Sequence, residues 1–191
     1  MDVRKGPLSR ARANAIEFGV SERIDLRISD GLEGLDENVD IITIFGMGGR
    51  LISRIITDAS DKIGEETRLI VSPQSDIPMF REFLEENAFE VEDEKCIVDE
   101  GKYYFIMQIK KGRKPEASQD EISHATYMRF GKYLLESKDQ TLKEFILKEK
   151  ANMIKVRDNL KKCDSDNIRA RLNQLEFELA CIKKGLSYYE M

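Results

Sequence analysis

Gly46-Met47-Gly48-Gly49 is the stretch whose composition bears most directly on chemistry. Three glycines within four residues let the backbone turn sharply and approach a ligand closely, because glycine carries no Cβ. The turn follows Ile41-Ile42-Thr43-Ile44-Phe45, an apolar, β-branched run that fits a strand covered on both faces. In open α/β sheets, ligands bind just beyond the carboxyl ends of strands. Two further polar turns end apolar segments in the same way: Asp30-Gly31 after Ile24–Ile28, and Ser72-Pro73-Gln74 after the Thr67–Ser72 run. Asp2 stands where an early strand would hand over to a first helix. In doubly wound folds an acid there accepts hydrogen bonds from ribose hydroxyls. A turn such as Asp30-Gly31 can read the amino edge of an adenine. The set offers positioning and polar recognition rather than a nucleophile. The single histidine, His124, and three widely spaced cysteines, Cys96, Cys163 and Cys181, form no metal-ligand pattern. No metal and reduced thiols are the expectation.

The elements that must hold these turns are legible from periodicity. A helix is expected from about Pro7 to Phe18, with Leu8, Ala11, Ala15 and Ile16 as its apolar stripe and Gly19 as its stop. Ile24-Asp25-Leu26-Arg27-Ile28 alternates and reads as a strand. A helix follows the glycine turn from Leu51 to Ala59. Asp76 is placed to cap a helix over Ile77–Asn87, whose Ile77, Phe80, Phe83 and Leu84 have helical spacing. Phe89–Val98 and Lys102–Lys110, joined by Asp99-Glu100-Gly101, form a β-hairpin signal. Strands alternating with helices and closed by an antiparallel hairpin give an α/β sheet with a mixed edge.

Residues 113–126 are polar and read as a linker between a first domain, 1–112, and a helical one, 127–191. Leu142, Ile146, Glu149, Met153, Val156 and Leu160 repeat at heptad spacing, and so do Ile168, Leu172, Leu175, Leu179, Ile182 and Leu186. Two such seams separated by Cys163-Asp164-Ser165-Asp166 predict an antiparallel coiled-coil hairpin, with Asp164 or Ser165 as the second N-cap. The net charge of −5 is divided unevenly, since residues 1–112 carry 15 Lys/Arg against 23 Asp/Glu and the remainder 16 against 13. A basic appendage on an acidic body suits a polyanionic partner, and equally a solvated helical surface paired with its own glutamates. No apolar run approaches the roughly 20 residues of a membrane span, so no membrane partner and a cytoplasmic location are expected.

Five motifs occur in order: Asp2-Val3-Arg4-Lys5-Gly6-Pro7-Leu8, Asp30-Gly31-Leu32, Gly46-Met47-Gly48-Gly49-Arg50-Leu51-Ile52, Gly101-Lys102-Tyr103-Tyr104 and Arg129-Phe130-Gly131. Together they resemble the TrmK family of bacterial tRNA methyltransferases, over nearly the whole chain. The resemblance implies a class I methyltransferase-like (Rossmann-like) doubly wound sheet with a closing antiparallel hairpin. It also implies S-adenosylmethionine as cofactor and N1 of the adenine at position 22 of tRNA as target. By that resemblance Asp2 holds the cofactor ribose, and Asp30 and Gly31 contact its adenine. Gly46, Met47 and Gly48 form the floor between methyl donor and target base, with Gly46 and Met47 also touching the cofactor. Gly49, Arg50, Gln74 and Tyr104 lie on the substrate side. Separately from the resemblance, the basic residues of the helical hairpin, Lys161 and Lys162 among them, offer phosphate contacts to RNA or a solvated flank paired with glutamates.

Two departures from the family pattern stand out. Family members often have Gln-Pro-Asn where this chain has Ser72-Pro73-Gln74. The family also begins with a helical element, a first strand and an Asp-x-Gly-x-Asp loop, whereas this sequence starts at the second strand. That first strand would be central, and losing it would leave unpaired backbone groups in a core. Met1 is therefore expected to be an internal residue of a longer protein, with the first domain N-terminally incomplete. Adenine N1 carries a lone pair, so methyl transfer needs no general base, which fits the lack of a catalytic histidine or cysteine. Two other readings remain open. One is a non-enzymatic RNA-binding or assembly protein that keeps the hairpin without the cofactor pocket. The other is a nucleotide-phosphate binder using Gly46–Gly49, although the Lys-Ser/Thr ending of a phosphate loop is absent. Oligomeric state is not legible.

Overall fold

The computed structural model describes residues 1–35, 39–112, 120–162 and 165–190. The element order is α1 (Lys5–Glu17), a 3₁₀ turn (Ser21–Arg23), β1 (Ile41–Met47), α2 (Gly49–Asp58), β2 (Arg68–Pro73), α3 (Ile77–Glu86), β3 (Phe89–Asp99) and β4 (Lys102–Lys111). Four helices follow: α4 (Glu121–Phe130), α5 (Lys132–Glu136), α6 (Gln140–Leu160) and α7 (Asp166–Ser187). The strands form one mixed sheet in the order β1-β2-β4-β3. β1 and β2 are parallel, as a strand–helix–strand crossover through α2 requires, whereas β4 runs antiparallel to both β2 and β3. The β3–β4 turn has φ of +46° at Glu100 and +78° at Gly101, the two positive angles that match a two-residue loop to strand twist.

One face of the sheet is dry. Ile42 and Ile44 of β1, Leu69 and Val71 of β2, and Phe105, Met107 and Ile109 of β4 join Ile52, Ile56, Phe80, Leu84, Phe130, Leu134, Leu142, Ile146 and Ile182 in a single core. β1 was expected to be covered on both faces, but its burial alternates, with Ile41 56% and Phe45 53% exposed. The reason is positional. α2, α3 and the helical hairpin all bury their apolar residues against the Ile42/Ile44 face, and α1 packs chiefly on the 3₁₀ turn. Ile16, expected in the apolar stripe of α1, is accordingly 64% exposed, and Ala15 is the buried residue of that helix.

The strand expected over Ile24–Ile28 reduces to one parallel bridge between Asp2 and Ile28. Alternation gave that segment strand propensity, but a ladder needs a neighbouring segment that pairs with successive residues, and among the described residues Ile28 bridges Asp2 alone. Residues 121–126, read as part of the linker, open α4. Asp120 caps it by accepting the Ser123 N–H at 2.9 Å, a start signal hidden inside a polar stretch. The rest of the expected linker, 113–119, lies outside the described residues, as do Cys163 and Asp164. Ser165 accepts the Ile168 N–H and caps α7. α6 and α7 are antiparallel: Ile146 approaches Gly185 at the base, and Arg157 faces Glu176 farther out.

The hairpin is fastened to the sheet through α3. Arg81 is buried, ion-paired with buried Glu94 of β3, and donates to the Met128 and Arg129 carbonyls at the end of α4, at 2.9 and 3.0 Å. Gly131, at φ +84°, lies so close to Glu94 that a Cβ there would overlap its carboxylate. His124, within the stretch read as linker, sits on α4 with Nε2 2.8 Å from Glu85 Oε2 of α3.

Candidate functional site

The glycine turn is built by two loops gripping each other. At the end of β1, register slips between Phe45 (opposite Ser72) and Met47 (opposite Pro73), so Gly46 is the extra residue of a bulge. Its φ of +77° is one that side-chain-bearing residues rarely take, and the space where its Cβ would lie is empty. The Gln74 N–H then donates to the Met47 carbonyl at 2.9 Å, and the Gly49 N–H to the Ser75 carbonyl at 2.9 Å. A Cβ on Gly49 would come within 2.9 Å of the Asp76 carbonyl oxygen and 3.0 Å of Phe80 Cβ, so the start of α2 must be bare. At Gly48 it would meet Ser75 Oγ at 2.6 Å.

Asp76 does not cap α3 through its side chain as expected. It sits in the left-handed region at φ 54°, and its carboxylate instead accepts from Ser75 Oγ at 3.0 Å and faces Arg50 Nε at 3.5 Å. Its carbonyl accepts the Phe80 N–H at 2.9 Å in the first turn of α3. Arg50 is thereby held beside the glycine turn with its side chain 79% exposed.

The second half of the site gathers around α2. Asp2 and Ile28 bridge, with the Ser29 N–H donating to the Asp2 carbonyl at 3.2 Å, so Asp2 lies alongside the turn that carries Asp30. Asp2 Oδ1 accepts the Arg4 N–H at 2.7 Å, which fixes the carboxylate. Arg54 of α2 grips the Asp30 carboxylate with both Nη atoms, at 3.0 and 3.4 Å. The hydrogen bond and charge of Asp30 raise the Arg54 pKa above its ordinary value. Gly31, at φ +55°, presses on Ile55, whose side chain would lie 3.0 Å from an added Cβ. Lys62 reaches the carbonyls of Leu32, Glu33 and Leu35. A cavity of about 260 Å³ opens between this turn and α2.

Of the residues expected at the site, Gly46–Gly49, Arg50 and Gln74 come together, and Asp2, Asp30 and Gly31 form a neighbouring group. Tyr104 is half-buried on β4, and continuing the Val71–Met107 register by three residues brings it level with Gln74. Lys161 and Lys162 are exposed at the far end of α6, 15 residues or roughly 22 Å beyond Ile146 at its base. Arg54 and Ser75 carry much of the geometry and were not singled out from sequence, and Asp76 was expected only as a helix cap. Arg54 sits among helical residues with ordinary spacing, and only its partner across the fold marks it.

The arrangement suits recognition and alignment. Burial pushes the Cys96 thiol up to about 12, so it holds no thiolate near neutrality. The Gly49 amide is spent on Ser75, and those of Leu51 and Ile52 on the Gly48 carbonyl, which weakens the start of α2 as a phosphate cradle. Among the described residues no group of three or more His, Cys, Asp or Glu is placed to hold a metal, and no helix is long and apolar enough to cross a membrane.

The chain is 26% identical over 189 residues to tRNA (adenine(22)-N(1))-methyltransferase of Bacillus subtilis strain 168, covering 98% of this chain and 79% of that protein. The crystal structure of the B. subtilis m1A22 tRNA methyltransferase TrmK superposes with a TM-score of 0.82 at 26% identity, over 96% of this chain and 79% of the other. A Streptococcus pneumoniae structure, described as a putative tRNA (m1A22) methyltransferase in complex with S-adenosyl-L-methionine, gives 0.78 at 27% identity, over 97% and 78%. The family model for tRNA (adenine(22)-N(1))-methyltransferase matches residues 1–184, and the chain belongs to that family, TrmK.

Proposed function

We propose that this protein methylates N1 of the adenine at position 22 of tRNA in the cytoplasm, with the paired turns at Gly46–Gly49 and Asp30–Gly31 as its site. The observation that carries this reading is the locked, glycine-rich turn at the end of β1, held by Ser75 and Asp76, together with a second turn whose acid is fixed from α2. S-adenosylmethionine supplies an electrophilic methyl group on a sulfonium. Adenine N1 attacks in line with its own lone pair, and positive charge passes to the base as the carbon–sulfur bond breaks. No proton has to be removed first, so the protein works by alignment and electrostatics.

The residues divide that work. Asp2 and Asp30 receive the ribose and the purine of the cofactor, and Gly31 lets the purine approach the backbone. Gly46, Met47 and Gly48 form the floor on which methyl and base meet, with Met47 as an apolar surface for the target. The base must be unpaired or flipped to reach it. Arg50, Gln74 and Tyr104 line the side from which it enters, with Gly49 setting the turn. Lys161 and Lys162, exposed at the tip of the helical hairpin, give phosphate contacts without sequence choice.

The test is methyl transfer to unmodified tRNA, read as a reverse-transcription stop at adenine 22. Replacing Gly46 by valine should abolish it while tRNA binding persists, because a β-branched residue cannot hold φ +77° in that bulge. Reversing Lys161 and Lys162 to glutamate should weaken tRNA binding and flatten its salt dependence without changing cofactor affinity. tRNA binding with no methyl transfer by the unaltered protein would replace this reading with that of a binding protein.

A further inference from the structure

We propose that Arg54 is a positioning residue that makes the cofactor site selective for a purine bearing an exocyclic amino group. The inference rests on the assignment of Asp30 to the cofactor's purine and adds to it the group that gives Asp30 its chemistry. Asp30 is half exposed, and a free aspartate there would sample several rotamers. Arg54 takes one lone-pair direction from each carboxylate oxygen, at 3.0 and 3.4 Å. Each oxygen keeps a second acceptor site, so the carboxylate stays an ionised acceptor with fixed aim. An amino group donates to it. A 6-oxo group presents another acceptor and is repelled.

The same helix serves both turns. α2 begins at Gly49 in the methyl-transfer floor, and Arg54 lies five residues later, roughly 7 Å along the axis. Ile55 supports Gly31 from the next position, and Lys62 holds the Leu32, Glu33 and Leu35 carbonyls beyond the helix end. Removing Arg54 therefore leaves the turn in place and frees only the carboxylate. The floor is held independently through Ser75 and Asp76. Arg54 also faces Asp58 one turn on, at 4.0 Å, a helix-surface pair that any cation would serve equally.

The experiment compares binding of S-adenosylhomocysteine and S-inosylhomocysteine by calorimetry in the purified protein, with steady-state methylation of tRNA alongside. In Arg54→Met, affinity for the adenosyl compound should fall about fivefold, and its advantage over the inosyl compound should shrink by a similar factor, the scale of one charge-assisted hydrogen bond at a solvated site. KM for the cofactor should rise with kcat unchanged, and Arg54→Lys should recover part of the selectivity. Asp30→Asn, whose amide can both donate and accept, should flatten selectivity by itself. If Asp30→Asn flattens it and Arg54→Met leaves it at the wild-type ratio, the role of Arg54 is overturned while the purine assignment stands. If Asp30→Asn leaves the ratio unchanged, the purine assignment itself falls.

Discussion

Two arginine–carboxylate pairs put the same chemistry to opposite use. Arg81–Glu94 is 6% and 2% exposed and joins α3, β3 and the end of α4, whereas Arg54–Asp30 is 51% and 49% exposed and joins α2 to a turn. Desolvation decides the difference. A buried pair gains little over a well-packed apolar pair but is costly to break, because one partner is left charged in a dry place. An exposed pair contributes little to stability, since water and salt screen it. Arg81 therefore fixes where the helical hairpin sits, down to the bare Gly131 that its partner requires. Arg54 can only fix where a carboxylate points. One pair serves the assembly of the fold and the other serves the site.

Breaking the buried pair should have the largest effect. Arg81→Met is expected to lower the unfolding free energy by about 3–5 kcal/mol in urea denaturation. Burial raises the Glu94 pKa, with Arg81 opposing the rise. An acid whose folded pKa is raised favours the fold below its unfolded pKa and loses that contribution as pH rises. Removing Arg81 raises it further, so the deficit of the variant should be smallest at acid pH and grow toward pH 8. A deficit independent of pH would mean that Glu94 is not the group left uncompensated. Gly131→Ala should cost about 2–3 kcal/mol, because it combines a positive φ with overlap onto Glu94. Arg54→Met, the exposed counterpart, should leave the urea midpoint within error.

That contrast also explains what was legible in the sequence. The β3–β4 hairpin and the heptads of α6 and α7 are local patterns, and they stand where periodicity put them except at Val156, a seam position of α6 that is 45% exposed. The Gly46–Gly49 turn was legible because three glycines have few other uses. Arg81 and Glu94 are charged residues on an amphipathic helix and a strand, and nothing near either residue announces burial. Their partners, Met128, Arg129 and Gly131, lie 47 or more residues beyond Arg81. The Ile24–Ile28 segment failed in the opposite direction: a clean local pattern predicted a strand, but pairing is a property of neighbours, and among the described residues Asp2 alone bridges it.

The glycine turn offers a sharper version of the comparison, between two adjacent residues. Gly49→Ala drives a methyl group against the Asp76 and Ser75 carbonyls and Phe80 Cβ, none of which can turn aside. It should cost about 1–3 kcal/mol and most of the methyl-transfer activity. Gly48→Ala meets chiefly the Ser75 hydroxyl, which can rotate. Its stability cost should be smaller and should be relieved in a Ser75→Ala background, whereas Gly49→Ala should gain nothing from that change. Equal rescue of both would mean that the backbone of the Ser75–Asp76 loop is not the rigid partner.

A slight effect is expected from a solvated network on the other side of the sheet. Glu92 accepts from Lys110, Gln108 and Arg68, and these bonds, led by Lys110, hold its carboxyl down to about 2. A depressed folded pKa contributes stability above the unfolded value near 4.5, and that contribution is lost as pH falls toward 2. Glu92→Gln should therefore lower the urea midpoint slightly at pH 7 and match the wild type near pH 2. Its dependence on salt should separate it from Arg81→Met, because added salt screens charges that face water and leaves a buried pair almost untouched. A Glu92→Gln deficit that persists in 1 M salt would place this network with the buried pair rather than the exposed one.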